Sequence, residues 1–330
     1  MRKFHPLMIL ATLALVQGTG CQERSLPAEK PKSGLDKVTL AWNWYPEAEH
    51  GGFYAALVKG YYKQEGLDVT ILPGGPDSPV LQLVAQQQAM FGVTNADNIL
   101  FGRAQQAPVV ALMAPMQNSP RCLIVHEKSG IKSFEDLHDL TIAMSPGAAF
   151  AEYMKKKLPL VNVRIVPYGG SVAPFLADEN YAQQGYVFSE PYVARKGGDP
   201  RVLMLSDLGF NPYTSILISS EEVLRKRPDV VQKMVAASVR GWIEYIHSPD
   251  EANRLIHQRN PKMDLATLDF GAKAIQPLVV DDLKSDEQIG QMTRARWRQL
   301  ADQLIETGQI AADKVDVDKA FTTKFLKAGP

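Results

Sequence analysis

The sequence predicts an α/β protein built from two lobes, and chain length and element order lead to that prediction. A chain of 330 residues is too long for one ordinary hydrophobic core. Short apolar segments typical of buried strands alternate with longer segments whose apolar residues follow helical spacing. A second series of this kind starts near Cys122, and almost only helices follow Ser215. We therefore predict a first lobe from residues 38–118 and 213–330, with a second lobe, residues 119–212, inserted into it.

The first lobe is expected to hold five strands whose helical connections imply parallel pairing. Its strands are predicted at residues 38–42, 67–72, 90–93, 109–116 and 215–218. Its helices are predicted at residues 50–64, 78–88, 95–105, 229–247, 249–258, 264–274, 286–307 and 318–327. The helix at 229–247 has the strongest signal, because its apolar residues form one stripe and Pro228 stands just before its start.

The second lobe repeats the strand and helix alternation on a shorter scale. Its strands are predicted at residues 122–126, 141–143, 163–166, 186–188 and 202–205, and its helices at 133–137 and 148–157. Because the chain crosses between the lobes twice, two crossover strands are expected beside a cleft. We place this hinge near residues 116–121 and 206–212.

Composition limits the partners that this protein can have. Its 36 basic residues balance its 36 acidic residues, whereas proteins that mainly bind nucleic acid usually carry a basic excess. The two cysteines, Cys21 and Cys122, provide neither a disulfide in the mature body nor a cysteine-based metal site. We expect a monomer with no cofactor, no metal and no nucleic-acid partner.

The first 20 residues read as a signal peptide. Two basic residues precede a short apolar run at 7–16, and small residues follow it. Cys21 then resembles the cysteine of a bacterial lipobox, although Gly18 stands where leucine is usual. Residues 21–37 are predicted to be a lipidated cysteine and a disordered tether. A periplasmic protein anchored to a membrane through Cys21 is expected; the alternative is an ordinary cleaved signal peptide with an incidental cysteine.

The turn after the first predicted strand is the richest candidate for a ligand site. Ligands of open α/β sheets bind beyond the carboxyl ends of the strands. Trp44, Tyr45 and His50 occupy this turn together with two glutamates, Glu47 and Glu49, which we place at the cleft entrance. We predict that Trp44 stacks on a planar ligand while Trp42 fills the core. For His50 the alternative is capping of the helix that follows.

Other predicted strand ends add polar groups to the same cleft. The candidate residues there are Thr94, Asn95, Gln117, Asn118, Ser145, Gly147, Tyr168, Glu190 and Tyr192. Ser145 and Gly147 precede a helix whose free N–H groups would bind a polar atom or an anion. Glu190 would accept hydrogen bonds from an amine-bearing heterocycle. Its alternative role is to cap a helix, and Thr94 or Asn95 is expected to cap one in any case.

Motifs of common enzymes do not occur in this sequence. It holds no phosphate-binding loop of the Gly-x-x-x-x-Gly-Lys-Ser/Thr type, no Gly-x-Ser-x-Gly elbow and no His-Glu-x-x-His. Its six histidines are not spaced as metal ligands on one helix face. These motifs therefore indicate no catalytic residues.

Four segments resemble the NMT1/THI5-like, or SsuA/THI5-like, family of periplasmic substrate-binding proteins. These segments are Trp-Tyr-Pro-Glu-Ala-Glu-His-Gly-Gly-Phe-Tyr from Trp44, Lys-Gly-Tyr-Tyr-Lys-Gln-Glu-Gly-Leu-Asp-Val from Lys59, Phe-Gly-Val-Thr-Asn-Ala-Asp from Phe91 and Ser-Glu-Pro from Ser189. The resemblance implies a type II periplasmic-binding-protein fold that closes on a small solute. It also implies an ABC permease and ATPase complex as the partner.

Within that family the first segment is most similar to proteins that bind thiamine pyrimidine precursors, such as formylaminopyrimidine or hydroxymethylpyrimidine. The resemblance gives Trp44 the stacking role and Glu190 the contact with the amino group, with His50 and Tyr192 nearby. The alternative ligand is an aliphatic sulfonate, nitrate or another small solute. The absence of Arg and Lys from the predicted cleft loops favours a neutral or cationic ligand.

One branch of the same family is an enzyme, a pyrimidine synthase that consumes its own histidine and pyridoxal phosphate. By resemblance, His50 lies where that histidine stands. That branch also carries a cysteine-rich motif, which should correspond to residues 209–215, and no cysteine occurs there. A synthase-like enzyme is therefore the remote alternative.

Overall fold

The computed structural model describes Met1 and residues 34–76, 78–280 and 286–326. The predicted signal peptide at residues 1–20, the lipidation site at Cys21 and residues 21–33 of the predicted tether lie outside the described residues. The first strand begins at Asp36, which is within the predicted tether. No helix of the described ranges combines the length and the apolar character that crossing a bilayer requires.

The described residues form ten strands and twelve α-helices. The strands are β1 Asp36–Ala41, β2 Leu67–Leu72, β3 Phe91–Thr94, β4 Val109–Met113, β5 Arg121–His126, β6 Thr141–Met144, β7 Arg164–Pro167, β8 Tyr181–Tyr186, β9 Pro200–Met204 and β10 Ile216–Ser220. The helices are α1 Gly51–Val58, α2 Tyr61–Gln64, α3 Val80–Ala85, α4 Ala96–Ala104, α5 Ala149–Lys157, α6 Ala173–Ala177, α7 Glu190–Ala194, α8 Glu221–Lys226, α9 Pro228–His247, α10 Asp250–Arg259, α11 Leu265–Val280 and α12 Arg294–Glu306. Short 3-10 turns lie at Ala48–His50, Glu127–Ser129, Phe134–Asp136, Asp286–Gln288, Ala312–Lys314 and Val317–Lys319.

The strands form two five-stranded sheets. The first sheet has the order β2-β1-β3-β10-β4 and the second β7-β6-β8-β5-β9. The strands of the first sheet thus come from chain segments before and after the segment that forms the second sheet. We keep the lobe boundaries 38–118, 119–212 and 213–330 as a proposal that follows this order.

The expectation of parallel pairing is wrong for one strand in each sheet. β10 runs antiparallel to both β3 and β4, and β5 runs antiparallel to both β8 and β9. Both strands follow a passage from one sheet to the other, so the chain enters the new sheet from the opposite end. The remaining pairs, β1 with β2 and β3 and β6 with β7 and β8, are parallel.

Several predicted boundaries are also wrong. β8 covers Tyr181–Tyr186 instead of residues 186–188, because Gln183 and Gln184 hide its apolar pattern although both are buried. Residues 318–327 were expected to be helical, but a single 3-10 turn at Val317–Lys319 is their only helical structure up to residue 326. The helix predicted at 286–307 is a 3-10 turn followed by α12.

Helix α9 closes the core of the first sheet. Its buried stripe includes Trp242 and Tyr245, both below 1% exposure. Trp242 packs edge-on against Phe53 of α1, with ring centroids 5.9 Å apart. Gly51 and Gly52 of α1 face the rings of Tyr245 and Trp242, so the two helices approach each other closely. This packing holds the turn before α1 in place.

The two passages between the sheets run side by side. An isolated antiparallel bridge joins Met116 to Thr214. Asn211 links the passages further, because its side-chain oxygen accepts a hydrogen bond from the backbone N–H of Ser119 at 2.7 Å and its amide donates to Asn118 Oδ1 at 2.9 Å. The predicted hinge at 116–121 and 206–212 covers this pair of passages.

Candidate ligand-binding site

A cavity of about 1000 Å³ lies between the two sheets. Parallel strands bring their carboxyl ends to it, as expected for open α/β sheets. Seven of the twelve predicted ligand contacts line it, and these are Trp44, Thr94, Asn95, Ser145, Gly147, Tyr168 and Glu190. They come from both sheets, so a ligand in the cavity would touch both lobes.

Trp42 and Trp44 have different surroundings, although only one residue separates them. Trp42 is 1% exposed, and its indole N–H donates to Tyr54 Oη at 3.1 Å. Trp44 is only half-buried and lines the cavity. The strand ends at Ala41 and Trp44 lies in the bend that follows, where the side-chain pattern of a strand no longer applies. Trp44 therefore remains a proposed stacking surface, and Trp42 belongs to the core.

Tyr45 and Tyr192 do not line the cavity. Tyr45 is half exposed and packs edge-on against Trp44, with ring centroids 5.6 Å apart. Tyr192 stacks on Phe270 of α11 at 4.9 Å. Helix α7 begins at Glu190, so a residue two positions later faces away from the Glu190 side chain. Tyr192 thus joins the lobes outside the cavity.

His50 is also absent from the cavity wall. It is completely buried and lies 4.5 Å from the Trp42 ring centroid. Its Nε2 is 3.1 Å from Asn43 Oδ1 and 3.2 Å from Glu49 Oε1. Because both oxygens near Nε2 are acceptors, a neutral imidazole would carry its hydrogen on Nε2. Burial lowers the pKa of His50 to about 3, so the ring is neutral at pH 7. In this structure His50 is a support behind the cavity wall.

Gln117 and Asn118 lie in the first passage between the sheets, away from the cavity. Gln117 donates from Nε2 to the carbonyl oxygens of Ala114 and Gln291, both at 3.0 Å. The N–H groups of both residues donate to the carbonyl oxygen of Leu278. They do not line the cavity, and they hold this passage to α11.

Arg121 is a cavity residue that strand-end reasoning does not find. It stands at the amino end of β5 and pairs in register with Tyr186 at the carboxyl end of β8. Its guanidinium lies 4.1 Å from the Tyr186 ring centroid and 4.7 Å from that of Phe150. Because β5 is antiparallel, its first residue faces the cleft. The expectation that no Arg or Lys lies in the cleft is therefore wrong.

Carboxyl groups outnumber this cation among the described lining residues. Glu47, Glu49, Asp97 and Glu190 all line the cavity. Burial raises the pKa of Glu49 to about 7, although Arg121 and the neighbouring Asn43 and Ser215 side chains oppose the shift. Burial likewise raises the pKa of Asp97. The wall therefore offers acceptors and protonated carboxyl groups rather than a positive surface.

Glu190 is held in a fixed orientation. Its Oε1 accepts from the Tyr168 hydroxyl at 3.0 Å, and its Oε2 accepts from the backbone N–H of Tyr186 at 2.7 Å. Each oxygen keeps a further lone pair for a ligand. Gly185 makes room for this carboxylate, since a Cβ there would lie 3.1 Å from Oε2.

Asn95 joins the two sheets at the cavity instead of capping α4. Its amide donates to the Tyr186 hydroxyl at 3.1 Å, and its Oδ1 accepts from the backbone N–H of Ser215 at 3.2 Å. Neither Asn95 nor Thr94 gives α4 a side-chain cap: Thr94 Oγ1 accepts from the Asn98 side chain. The expected capping role is therefore wrong for both residues.

The pair of Glu49 and His50 predicts opposite pH effects on stability. A carboxyl whose pKa is higher when folded loses stability as pH rises from 4.5 toward 7. An imidazole whose pKa is lower when folded loses stability as pH falls from 6.5 toward 3. Over its full range the change amounts to about 3 kcal/mol for Glu49 and about 5 kcal/mol for His50. In urea unfolding from pH 4 to 8, we expect Glu49→Gln to reduce the loss of stability at higher pH, to which Glu47 still contributes, and His50→Gln to remove the loss on the acid side.

The exposed Glu135 provides the control for that measurement. Glu135→Gln should follow the wild-type stability curve at every pH. If the Glu49 and His50 variants also followed the wild-type curve, the two groups would not titrate as their burial requires.

The family model described as NMT1/THI5 like matches residues 47–252, which is more than half of the chain. The chain belongs to the NMT1/THI5-like family. This family match confirms the resemblance stated from the four sequence segments. Ten of the twelve predicted contacts lie within the matched range, and Trp44 and Tyr45 lie just before it.

Three curated relatives are similar to most of the chain. Riboflavin-binding protein RibY of Chloroflexus aurantiacus is 28% identical over 318 residues, which cover 92% of this chain and 90% of that protein. Formylaminopyrimidine-binding protein of Halalkalibacterium halodurans is 26% identical over 270 residues, 76% of this chain and 78% of that protein. The 4-amino-5-hydroxymethyl-2-methylpyrimidine phosphate synthase of Legionella pneumophila is 23% identical over 316 residues, 89% of this chain and 93% of that protein.

Solved structures show the fold. The periplasmic aliphatic sulphonate-binding protein SsuA from Escherichia coli matches with a TM-score of 0.64 at 17% identity, covering 86% of this chain and 91% of that chain. At 17% sequence identity the similarity shows a shared fold and nothing more. The prediction of a type II periplasmic-binding-protein fold, two α/β lobes around a cleft, is confirmed.

Proposed function

We propose that this protein is an extracytoplasmic solute-binding lipoprotein of an ABC transporter that captures a small planar nitrogen heterocycle. The observation that carries the proposal is the cavity between the sheets, which Trp44 lines from one lobe and Glu190 from the other. A ligand that contacts both lobes stabilises the closed state, so its binding energy drives hinge closure. The ligand would then pass to a permease and ATPase complex, and the lipid anchor at Cys21 would keep the protein in the periplasm at the membrane.

The chemistry of the wall supports a heterocycle with N–H groups. Trp44 offers a flat aromatic surface, and Glu190 offers acceptor lone pairs in a fixed orientation. The single guanidinium of Arg121 shares the cavity with the Glu190 carboxylate, so the wall holds no excess of positive charge that would attract a sulfonate or nitrate. A thiamine pyrimidine precursor is the first ligand that we propose, in agreement with the name of the formylaminopyrimidine-binding relative.

A flavin is the second candidate ligand, and cavity size favours it. The cavity of about 1000 Å³ lies at the upper end of the usual range for small-molecule sites. A single pyrimidine would occupy a small part of that space, whereas riboflavin adds two further rings and a polyhydroxylated chain. The relative named riboflavin-binding protein covers 92% of this chain.

The alternative of a synthase-like enzyme has less support. His50 would be the sacrificial histidine by resemblance, but it is completely buried and does not line the cavity. No cysteine lies in residues 209–215. Relatives named as synthases keep this alternative open to test. When pyridoxal phosphate is supplied, a synthase would yield a pyrimidine phosphate, and mass spectrometry would show the loss of one intact His50 per turnover.

Titration of the purified full chain tests the proposal. Riboflavin, formylaminopyrimidine and hydroxymethylpyrimidine would be titrated by calorimetry, with taurine and nitrate as the anion comparison. We expect one heterocycle to bind with a dissociation constant of about 1 μM or lower and the anions to give no heat. Heat with taurine or nitrate alone would contradict the proposal. Riboflavin fluorescence, quenched by stacking on Trp44, provides an independent readout for the flavin.

A further inference from the structure

Two carboxyl groups of the cavity, those of Glu190 and Glu47, differ in the hydrogen-bond donors around them. Glu190 receives hydrogen bonds from the Tyr168 hydroxyl and the Tyr186 backbone N–H. Glu47 lines the same cavity and is 7% exposed. Within the described residues its side chain has no hydrogen-bond or ion-pair partner. One carboxyl group is therefore supplied with donors, and the other is left free for a ligand.

This difference decides which group keeps a proton. Donors stabilise the ionised form of a carboxyl group, whereas burial beside like charges favours its neutral form. Burial is the larger cause, and Glu49 and Glu190 add to it; together they raise the pKa of Glu47 well above its usual value. A neutral carboxyl group carries an O–H donor. Enzymes use such neutral acids to donate hydrogen bonds in apolar sites.

We propose that Glu47 binds the ligand as a neutral carboxylic acid that donates a hydrogen bond, while Glu190 binds it as an acceptor. This inference rests on the proposed function and defines the ligand class more closely. The ligand must carry an acceptor, such as a ring nitrogen or a carbonyl oxygen, for Glu47. It must also carry an N–H group for Glu190. An aminopyrimidine and the dione ring of a flavin both combine these groups.

Other titratable groups surround Glu47 and enter the test. Glu49 lies on the same turn, and Glu190 and Tyr168 approach from the second lobe. Tyr245 approaches from α9, and Arg121 acts on Glu49. Because Glu49 titrates near pH 7, each measurement is repeated in the Glu49→Gln chain.

The protonation of Glu47 can be measured without any ligand. Carbon-13 spectra of the full chain, labelled at its glutamate carboxyl groups, would be recorded from pH 4 to 9. The Glu47 signal would be assigned by its loss in Glu47→Gln. We expect Glu47 to be protonated at pH 7, and ionisation of Glu47 below pH 6 would overturn the proposal.

Binding of riboflavin and of formylaminopyrimidine then tests the donor role. In the wild type, affinity should fall about tenfold per pH unit above the Glu47 midpoint. Glu47→Gln keeps an N–H donor, so it should bind within about threefold of the wild type at pH 7 without that fall. Glu47→Leu removes the donor and should bind about tenfold more weakly. The exposed Glu135→Gln is the control and should match the wild type.

The two outcomes of the binding test are distinct. Affinity that rises with pH, with Glu47→Gln as weak as Glu47→Leu, would mean that Glu47 acts as an ionised acceptor and would overturn the proposal. If neither probe binds the wild type, the proposed ligand class fails, and the carbon-13 titration alone decides the state of Glu47.

Discussion

Gly241→Ala is expected to lower the free energy of unfolding by on the order of 3 kcal/mol or more. A Cβ at Gly241 of α9 would lie 2.2 Å from the carbonyl oxygen of Gly52 and 2.6 Å from Cβ of Ala56 on α1. The first atom belongs to the backbone of α1 and the second is bonded directly to it, so neither can move away by a change of rotamer. Helices α1 and α9 would therefore have to separate. That loss would exceed the gain of about 1 kcal/mol that alanine brings to a helix interior. Urea unfolding of the two chains measures the difference.

Gly102→Ala is the matched control for this prediction. Gly102 also lies inside a helix and is buried, but a Cβ there would meet the end of the Leu81 side chain at 3.2 Å. That side chain can change rotamer, so we expect a change within about 1 kcal/mol. A Gly241→Ala chain as stable as the Gly102→Ala chain would show that α1 and α9 are not packed this closely.

Trp44→Ala and Glu190→Gln are each expected to weaken ligand binding by about tenfold or more. Trp44 would lose the stacking surface. The glutamine would lose charge and one acceptor, and it would place an amide against Tyr168 or Tyr186. Both residues are half-buried and line the cavity, so the melting temperature of the empty protein should change little. Calorimetry with the heterocycle that binds, and thermal unfolding without it, measure the two effects.

Two further variants separate contact from general damage. Gly185→Ala would move Glu190, because the added Cβ would lie 3.0 Å from Glu190 Cβ. It should therefore weaken binding in the same direction as Glu190→Gln. Tyr45→Ala should leave binding within about threefold, since Tyr45 does not line the cavity. Early unfolding of Trp44→Ala or Glu190→Gln would assign that residue to the core or to a cap.

Short-range features of this protein were accessible from its sequence. Helical spacing located α9 within one residue of its observed start, and the aromatic and ionisable residues after the first strand indicated Trp44 as a cavity residue. Position after a strand brought Tyr168 and Glu190 to the cavity. These inferences depend on residues close together in the chain, where periodicity and turn chemistry act directly.

Long-range features needed the tertiary structure. Arg121 reaches the cavity only because β5 runs antiparallel to β8, and the direction of a strand depends on where the chain enters the sheet. His50 is a support rather than a contact because Trp42 and Asn43 lie around it. The sequence by itself determined the family, the two-lobed order and the stacking candidate. Burial of Glu47 beside carboxyl groups from the same turn and from the other lobe was decided by the packing of distant segments, which sets the local dielectric and the neighbouring charges.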